Sequence, residues 1–292
     1  MFVGLRRKGG TVNVYKGYAI QKTVEVTALY SAFEADFENG YSFVGEAHDF
    51  WEMVYVKRGR VGVLAGDRIY NLTEGMIVLH PPMEFHRIWS EQGEMPAVIV
   101  MSFSAKWAAP PVNNVVLFDR EANTLTPERV KDAITTAFEM NGRAVVGTRG
   151  DSAMQPQTAV AMLEELLMGL SNRDQSAQPD KSEPSNSKYA QIVRVLDDNM
   201  DRMLELGDIA EMCNMSVSNL KRIFYKYAGM GLIHYYNELK ARKAILLLGE
   251  GLSVKETAAR LGFSDQNYFS YFFKRIMGKS PTVYMRSVEK KR

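Results

Sequence analysis

The chain lacks most of the features of an exported or membrane protein. Its 292 residues include one cysteine, Cys213, which excludes an internal disulfide and favours a reducing compartment. The basic start MFVGLRRKGG is not followed by an apolar stretch, so it does not resemble a secretory signal peptide. No apolar run approaches the roughly 20 residues that a membrane-spanning helix needs. We therefore expect a cytoplasmic protein without a membrane partner.

An excess of charge of one sign is also missing from the chain as a whole. The 36 basic and 34 acidic side chains give a net charge of +2. Their distribution is uneven, because residues 188–292 carry 18 basic and 11 acidic side chains, whereas the first 187 residues carry 18 basic and 23 acidic ones. The C-terminal part therefore has a net charge of +7 and the rest of the chain a net charge of −5. This difference predicts a polyanionic partner for the C-terminal part alone.

The C-terminal part contains one helical motif twice. Residues 206–229 align with residues 254–278, at a spacing of 48 positions that becomes 49 from Leu220 onward. Each copy predicts a short helix, a tight turn, a serine that can cap (Ser216 and Ser264), and a second, amphipathic helix. This pattern is typical of a helix-turn-helix, whose second helix lies in the DNA major groove. Two copies in one chain predict a protein that binds double-stranded DNA.

The second helix of each copy has an apolar stripe at helical spacing and a polar face opposite to it. Glutamine and asparagine can bind adenine in a bidentate manner, while lysine reaches bases or phosphates. For either helix alone an ordinary solvated face is the alternative interpretation, but the repeat favours DNA contact. The predicted DNA-binding residues are Ser218, Asn219, Lys221 and Arg222 in the first copy and Asp265, Gln266, Asn267, Ser270 and Lys274 in the second.

The N-terminal part has a different periodicity. Between about residues 24 and 103, short apolar or alternating runs broken by Gly, Asn and Asp predict an antiparallel sandwich or barrel. Helices should follow, the first of them starting at Thr126 and Pro127. A later helix carries a strip of leucines that one helix cannot bury alone, so we predict a homodimer contact there. The strip consists of Leu163, Leu166, Leu167 and Leu170.

These patterns together predict an α+β chain of two domains. Residues 1–170 form a β barrel followed by helices, and residues 188–292 form an all-α domain. Residues 171–187 are polar, contain two prolines and lack large apolar side chains, so we interpret them as a flexible linker.

The sequence GFSDQNYFSYFFKRIMGKSPTVYMR, residues 262–286, resembles the signature of the AraC/XylS-type family of bacterial transcription regulators. The resemblance covers about the last 100 residues. It implies two helix-turn-helix units joined by a long helix, here about residues 232–248, with both recognition helices in successive major-groove segments. It also implies transcription activation, with RNA polymerase as a partner. One departure is Lys240, which stands in the joining helix where an arginine is common.

Two segments of the predicted barrel fit the cupin pattern. The spacing G-x5-H-x-H-x3-E-x6-G is matched with Glu46 in the first His place, followed by His48 and Glu52. The spacing G-x5-P-x-G-x2-H ends at His86 and has Met83 in the second Gly place. The domain therefore resembles the small barrel that members of this family place before the DNA-binding part. In a metal-binding cupin these positions converge, and two His with two carboxylates suit Mn, Fe or Ni.

Three roles are open for these positions: the metal site of a cupin-type metalloenzyme fused to a DNA-binding domain, a pocket for an organic effector, or plain barrel core. We favour the effector pocket, without metal, other cofactor or enzymatic activity, because regulators of this type generally hold a small molecule in the barrel. Aromatic rings stack on the C–H faces of sugars, so a carbohydrate is the leading candidate. The predicted effector-binding residues are Glu46, His48, Glu52, His86, Trp51 and Trp89.

Overall fold

A computed structural model describes residues 17–91, 93–111, 114–120, 123–150, 152–171 and 184–289. Strands dominate the first half of the chain and helices the second. The strands are β1 (Val24–Asp36), β2 (Trp51–Arg58), β3 (Arg60–Ala65), β4 (Arg68–Thr73), β5 (Met76–His80), β6 (His86–Ser90), β7 (Ala97–Trp107), β8 (Val115–Leu117), β9 (Phe138–Asn141) and β10 (Ala144–Thr148). The helices are α1 (Pro127–Ala137), α2 (Met154–Ser171), α3 (Pro184–Asp198), α4 (Leu206–Met212), α5 (Val217–Ala228), α6 (Leu232–Gly249), α7 (Val254–Arg260), α8 (Gln266–Met277) and α9 (Pro281–Glu289).

The strands form two facing antiparallel sheets, as the sequence predicts. One sheet has the order β8-β5-β2-β7-β1-β10-β9 and the other has the order β4-β3-β6. Side chains alternate along β2, so that Val54 and Val56 meet Val63 of β3 between the sheets, whereas Met53 and Tyr55 lie in a second core on the outer face. The N-terminal domain therefore has one core inside the sandwich and another beneath its helices.

Helices α1 and α2 cover the outer face of the larger sheet. Helix α1 starts as predicted, since the Thr126 hydroxyl accepts a hydrogen bond from the backbone N–H of Arg129 and Pro127 stands in the first turn. It ends at Ala137, where the chain enters a hairpin of β9 and β10 that no sequence pattern predicted.

The leucine strip of α2 lies inside this N-terminal domain. Leu163 and Leu167 are fully buried, and Leu166 and Leu170 are at most 3% exposed, in the core that α1 and β1 share. The strip is covered by the chain itself, so the reason for placing a homodimer contact there is wrong. A homodimer formed by some other surface stays a prediction.

The C-terminal part is helical and contains both predicted helix-turn-helix units, α4 with α5 and α7 with α8. Helix α6 joins them over Leu232–Gly249, close to the predicted residues 232–248. Helix α3 starts at Pro184, inside the segment predicted as a linker, and residues 172–183 of that segment lie outside the described ranges. None of the helices in those ranges is both long enough and apolar enough to cross a bilayer.

The turn between the two helices of each unit is built in the same way. Asn214 in the first unit and Gly262 in the second are 48 positions apart, and both have a positive φ, 52° and 74°. The residues just before them, Cys213 and Leu261, are both buried. The capping box predicted for α7 is present, with reciprocal bonds between Ser253 and Glu256. The sequence repeat therefore corresponds to a structural repeat.

Candidate functional site

Helix α5 buries one face and exposes a polar one. Its stripe of Leu220, Ile223 and Phe224 is at most 5% exposed. Ser216 caps the helix, since its hydroxyl accepts a hydrogen bond from the backbone N–H of Asn219 at 3.3 Å. Among the predicted DNA contacts of this helix, three are exposed and Asn219 is half-buried, with its side-chain oxygen bonded to Arg222 at 2.9 Å. The three exposed ones are Ser218, Lys221 and Arg222.

Helix α8 has the same design with one difference at its start. The sequence alignment pairs Ser264 with Ser216, but the cap is Asp265, whose carboxylate accepts a hydrogen bond from the backbone N–H of Tyr268 at 2.9 Å. The extra residue of the second unit therefore precedes the helix, and the Asp265 carboxylate is engaged in the cap. The remaining predicted contacts stay available: Gln266, Asn267 and Lys274 are exposed, and Ser270 is half-buried.

Three exposed tyrosines were missing from the predicted set. Tyr225 of α5 is 63% exposed, and Tyr268 and Tyr271 of α8 are 51% and 65% exposed. All three stand outside the apolar stripe of their helix, so the helical period could have identified them as outward-facing. Phenol rings at these positions add stacking and hydrogen-bonding capacity to the two polar faces.

Residues 199–202 form a short segment before α4 that connects the two helix-turn-helix units through hydrogen bonds. We call this segment, together with Tyr236 and Lys240, the inter-unit junction. The Tyr236 hydroxyl lies 2.7 and 2.8 Å from the carbonyl oxygens of Asn199 and Arg202. The Lys240 ammonium donates to the carbonyls of Met200, at 2.6 Å, and Leu261, at 2.7 Å. Lys240 is fully buried, and that burial lowers its pKa to about 8. One buried cation thus joins the start of the first unit to the turn of the second.

Four of the six predicted effector-binding residues meet at one end of the sandwich. One ligand atom from each of Glu46, His48, Glu52 and His86 lies within 4.8 Å of the other three. Glu52 comes from the larger sheet and His86 from the smaller one, while backbone hydrogen bonds of 2.9 Å in both directions hold residue 46 against residue 86. The cupin spacing therefore predicted this convergence correctly.

The histidines of this cluster are held by their Nδ1 atoms. His48 Nδ1 lies 3.0 Å from the carbonyl oxygen of Phe50, and His86 Nδ1 lies 3.1 Å from that of Glu84. A carbonyl can only accept, so each Nδ1 carries the proton and each Nε2 faces the carboxylates. The Nε2 atom of His86 is 3.3 Å from Glu52 Oε1, and that of His48 is 3.7 Å from Glu52 Oε2. Both Nε2 atoms are nevertheless buried without a hydrogen-bond partner.

Electrostatics around the cluster differ from one carboxyl group to the next. Burial acts to raise the pKa of Glu52, but when the imidazoles of His48 and His86 are protonated, their hydrogen bonds and charge outweigh that effect and hold the pKa well below its usual range. Burial raises the pKa of the nearby Glu84 to about 7. Burial also lowers the pKa of His80, whose ring stacks on that of His86 at 4.2 Å. Glu52 is therefore the anionic centre of the cluster.

The two tryptophans of the predicted set lie elsewhere. Trp51 precedes Glu52 and therefore points to the opposite face of β2, where it packs on Trp107 at 5.3 Å in the outer core. Trp89, three positions after His86, also points to the opposite face of its strand and joins a core shared with the C-terminal helices. Sequence proximity placed both beside the cluster, whereas strand alternation separates them from it.

The smaller sheet contacts the helical domain through that shared core. Leu64 and Phe85 are buried with residues of α3, α5 and α6, and the Phe85 ring meets Tyr235 at 5.2 Å, edge to face. Arg87, next to His86, donates from Nη1 to the carbonyls of Lys226 and Tyr227, at 3.2 and 2.8 Å. These carbonyls end α5, where the helix dipole favours a cation. The strand that carries His86 is thus bonded to the end of one polar-faced helix.

Comparisons with known proteins match both halves of the chain. The family model for an AraC-like ligand binding domain matches residues 31–113, and the model for a helix-turn-helix domain matches residues 209–287. The uncharacterized HTH-type transcriptional regulator YfiF of Bacillus subtilis is 26% identical over 94% of this chain and 87% of that protein. The Msm operon regulatory protein of Streptococcus mutans is 23% identical over 95% and 98%. The HTH-type transcriptional activator RhaR of Yersinia pestis is 24% identical over 83% and 84%.

Proposed function

Because this chain belongs to the AraC-type family of transcription regulators, we propose that it reads a specific DNA sequence through α5 and α8 and changes transcription when a small molecule binds its sandwich. The observation that carries the proposal is the pair of capped helices with matching polar faces and a similar turn before each. That repeat suits two successive segments of the major groove. The DNA-binding region we propose is residues 188–292.

The polar face of α8 gives the direct test of this function. We expect Gln266→Ala and Asn267→Ala to relax base preference at one or two positions, by about 1–3 kcal/mol per base. Lys274→Ala should instead weaken binding to all sequences similarly and reduce the salt dependence by about one counterion, if the ammonium binds phosphate. The measurement is selection of a binding site from random duplexes with the full chain, followed by titration of each variant.

The matched control is Lys106→Ala, which removes an exposed lysine from the N-terminal domain. It should leave both affinity and base preference unchanged. An equal loss from all three α8 variants on every sequence would mean that this helix only positions the protein on DNA.

The effector site we propose is the cluster of Glu46, His48, Glu52 and His86. Phe50 stacks on His48 at 3.7 Å and on Tyr30 at 4.2 Å, which supplies an aromatic surface beside the polar groups. This surface supports a carbohydrate as effector, because sugars stack on aromatic rings while carboxylates and imidazoles bind their hydroxyls. All three relatives are named as regulators, which supports a regulator over a cupin-type metalloenzyme.

Arg87 is the element we propose for communication between the two domains. Arg87→Ala should leave effector binding intact, since the side chain points away from the cluster, but should reduce the effect of effector on DNA affinity. Allosteric coupling is typically 5–150-fold, and we expect it to fall to within about 2-fold. A thermal-shift screen of carbohydrates identifies a ligand, and DNA titration with and without that ligand measures the coupling.

Arg60→Ala is the control for this experiment, because Arg60 is an exposed arginine on the adjacent strand β3. It should retain full coupling. Undiminished coupling in Arg87→Ala would show that the signal does not pass through this contact.

Several features of the proposal rest on the family alone. We propose transcription activation with RNA polymerase as partner, action in the cytoplasm and no enzymatic activity of its own. We also propose a homodimer, although the leucine strip cannot form it. Sedimentation of the full chain with and without DNA measures that state.

A further inference from the structure

We propose that Glu46, His48, Glu52 and His86 bind one divalent transition-metal ion, through the Nε2 atoms of both histidines and one oxygen of each carboxylate. The sequence favoured an organic effector here without metal. The geometry of the four side chains points to a metal ion as the group that they bind directly.

The hydrogen-bond polarity of the cluster carries this inference. Each Nδ1 donates to a backbone carbonyl, so each neutral imidazole directs the lone pair of Nε2 toward carboxylate oxygens. Lone pairs facing lone pairs repel, and an unpaired buried acceptor is costly. His86 is only 4% exposed, and its Nε2 has no hydrogen-bond partner. A cation at the common point of these atoms would satisfy all of them at once.

The charges of the cluster also suit a dication. The rings of His48 and His86 are 4.9 Å apart, which brings both Nε2 atoms to the same pair of carboxylates. One dication placed between two carboxylates balances their two negative charges.

The spacing of the groups is close to that of a formed site. Nitrogen and oxygen ligands bind zinc at about 2.0–2.2 Å in a tetrahedral arrangement, so the ligand atoms of a formed site are about 3.4 Å apart. The ligand atoms here lie within 4.8 Å of one another. The Glu46 side chain is 51% exposed, so it can move to close the remaining gap, which is on the order of 1 Å.

Neighbouring groups already orient the proposed ligands. Histidines that bind metals usually donate their second ring N–H to a carbonyl or carboxylate, as both do here. Ser102 donates a hydrogen bond to Glu52 Oε2 at 3.0 Å, which leaves Oε1 turned toward His86. Such outer hydrogen bonds fix the orientation of the ligands in metal sites.

The ligand chemistry selects the class of ion. Two imidazoles with two carboxylates suit Mn, Fe, Ni or Zn, whereas Ca²⁺ and Mg²⁺ prefer oxygen alone. Four single-atom protein ligands would leave two positions on a six-coordinate ion. An organic effector with adjacent oxygens can occupy them. This last step rests on the proposed function, whereas binding of the ion does not.

The experiment titrates the full chain, first dialysed against chelator and then against buffer, with Zn²⁺, Ni²⁺, Mn²⁺ and Ca²⁺ separately by calorimetry. We expect about one equivalent of Zn²⁺ or Ni²⁺, weaker Mn²⁺ and negligible Ca²⁺. His48→Gln and His86→Gln should each lower Zn²⁺ affinity by about 100-fold or more, since losing even an outer partner of a ligand lowers it 10–100-fold. His234→Gln, an exposed histidine of α6, should change nothing.

Glu46→Gln keeps the test decisive if a buried-histidine variant fails to fold, because this exposed side chain can change without disturbing the core. It should also weaken Zn²⁺ binding. The proposal is overturned if the wild-type chain binds none of the three transition metals, if Ca²⁺ binds equally well, or if the ligand variants bind like wild type. Selection of DNA by the same protein is measured separately, so loss of metal binding is distinguishable from failure of the regulator assignment.

Discussion

Gly262→Ala is expected to destabilise the helical domain by about 2–5 kcal/mol. Gly262 has φ +74°, where an alanine costs about 1–2 kcal/mol through its left-handed backbone. An added Cβ would also lie 2.2 Å from the carbonyl oxygen of Asp201 and 2.8 Å from Cα of Arg202. These are backbone atoms, so the α7–α8 turn must move away from the inter-unit junction, and overpacking of this kind costs about 1–3 kcal/mol more. Urea unfolding followed by circular dichroism measures the loss.

Gly278→Ala is the matched control, since Gly278 has nearly the same φ, +72°, and no atom within 4 Å of the added Cβ. It should cost only the backbone component, about 1–2 kcal/mol. Equal losses for the two variants would show that the close approach to residues 201 and 202 has no energetic weight. A larger loss for Gly262→Ala would also predict weaker DNA binding, because the junction sets how α5 and α8 are spaced.

Lys240→Met is expected to destabilise the same junction by about 2–3 kcal/mol at pH 7.5. The substitution keeps an unbranched apolar stem but removes the donor to the carbonyls of Met200 and Leu261. A buried acceptor left without a partner costs about 1–3 kcal/mol. The variant should therefore melt earlier than wild type while keeping its helical content.

The pH dependence of this effect has a definite sign. Burial lowers the folded-state pKa of Lys240 from 10.5 to about 8, so between these values the unfolded chain binds more protons than the native one. The free energy of unfolding contributed by Lys240 therefore rises with pH across that window, by roughly 2 kcal/mol from pH 7.5 to 9.5. Lys240→Met should lack this rise, as seen by urea unfolding at the two pH values.

Lys243→Met provides the comparison, because Lys243 is an exposed lysine on the same helix. It should keep the pH dependence of the wild type. If Lys240→Met also kept it, the buried ammonium would not be the group that titrates with folding.

Local patterns in the sequence predicted much of the helical domain. Helical geometry fixes contacts between residues a few positions apart, and these contacts explain the apolar stripe of α8 and the capping box of Ser253 and Glu256. The 48-residue repeat was visible because the same local patterns occur twice. The start of α8 was not predictable in this way, because either Ser264 or Asp265 could cap the helix. Only the backbone conformation after the inserted residue decides between them.

The sandwich was predictable where spacing along the chain fixes the register. The cupin spacing brought Glu46, His48, Glu52 and His86 together, as the structure confirms. Trp51 and Trp89 were grouped with the cluster because they are close to it in sequence. Strand alternation relative to Glu52 and His86 puts each on the opposite face of its strand, and only the structure shows which core each one joins.

The sequence by itself determined the two domains, the repeated helix-turn-helix, its polar faces and the four converging side chains, because each depends on periodicity or short spacing. Tertiary structure alone decided that the α2 leucines are covered within the chain, that Arg87 is bonded to the end of α5, and that Lys240 joins the two units. The partners in these contacts lie 21 to 140 positions apart where hydrogen bonds join them. Burial and pairing at such separations depend on how the elements pack, which no local pattern encodes.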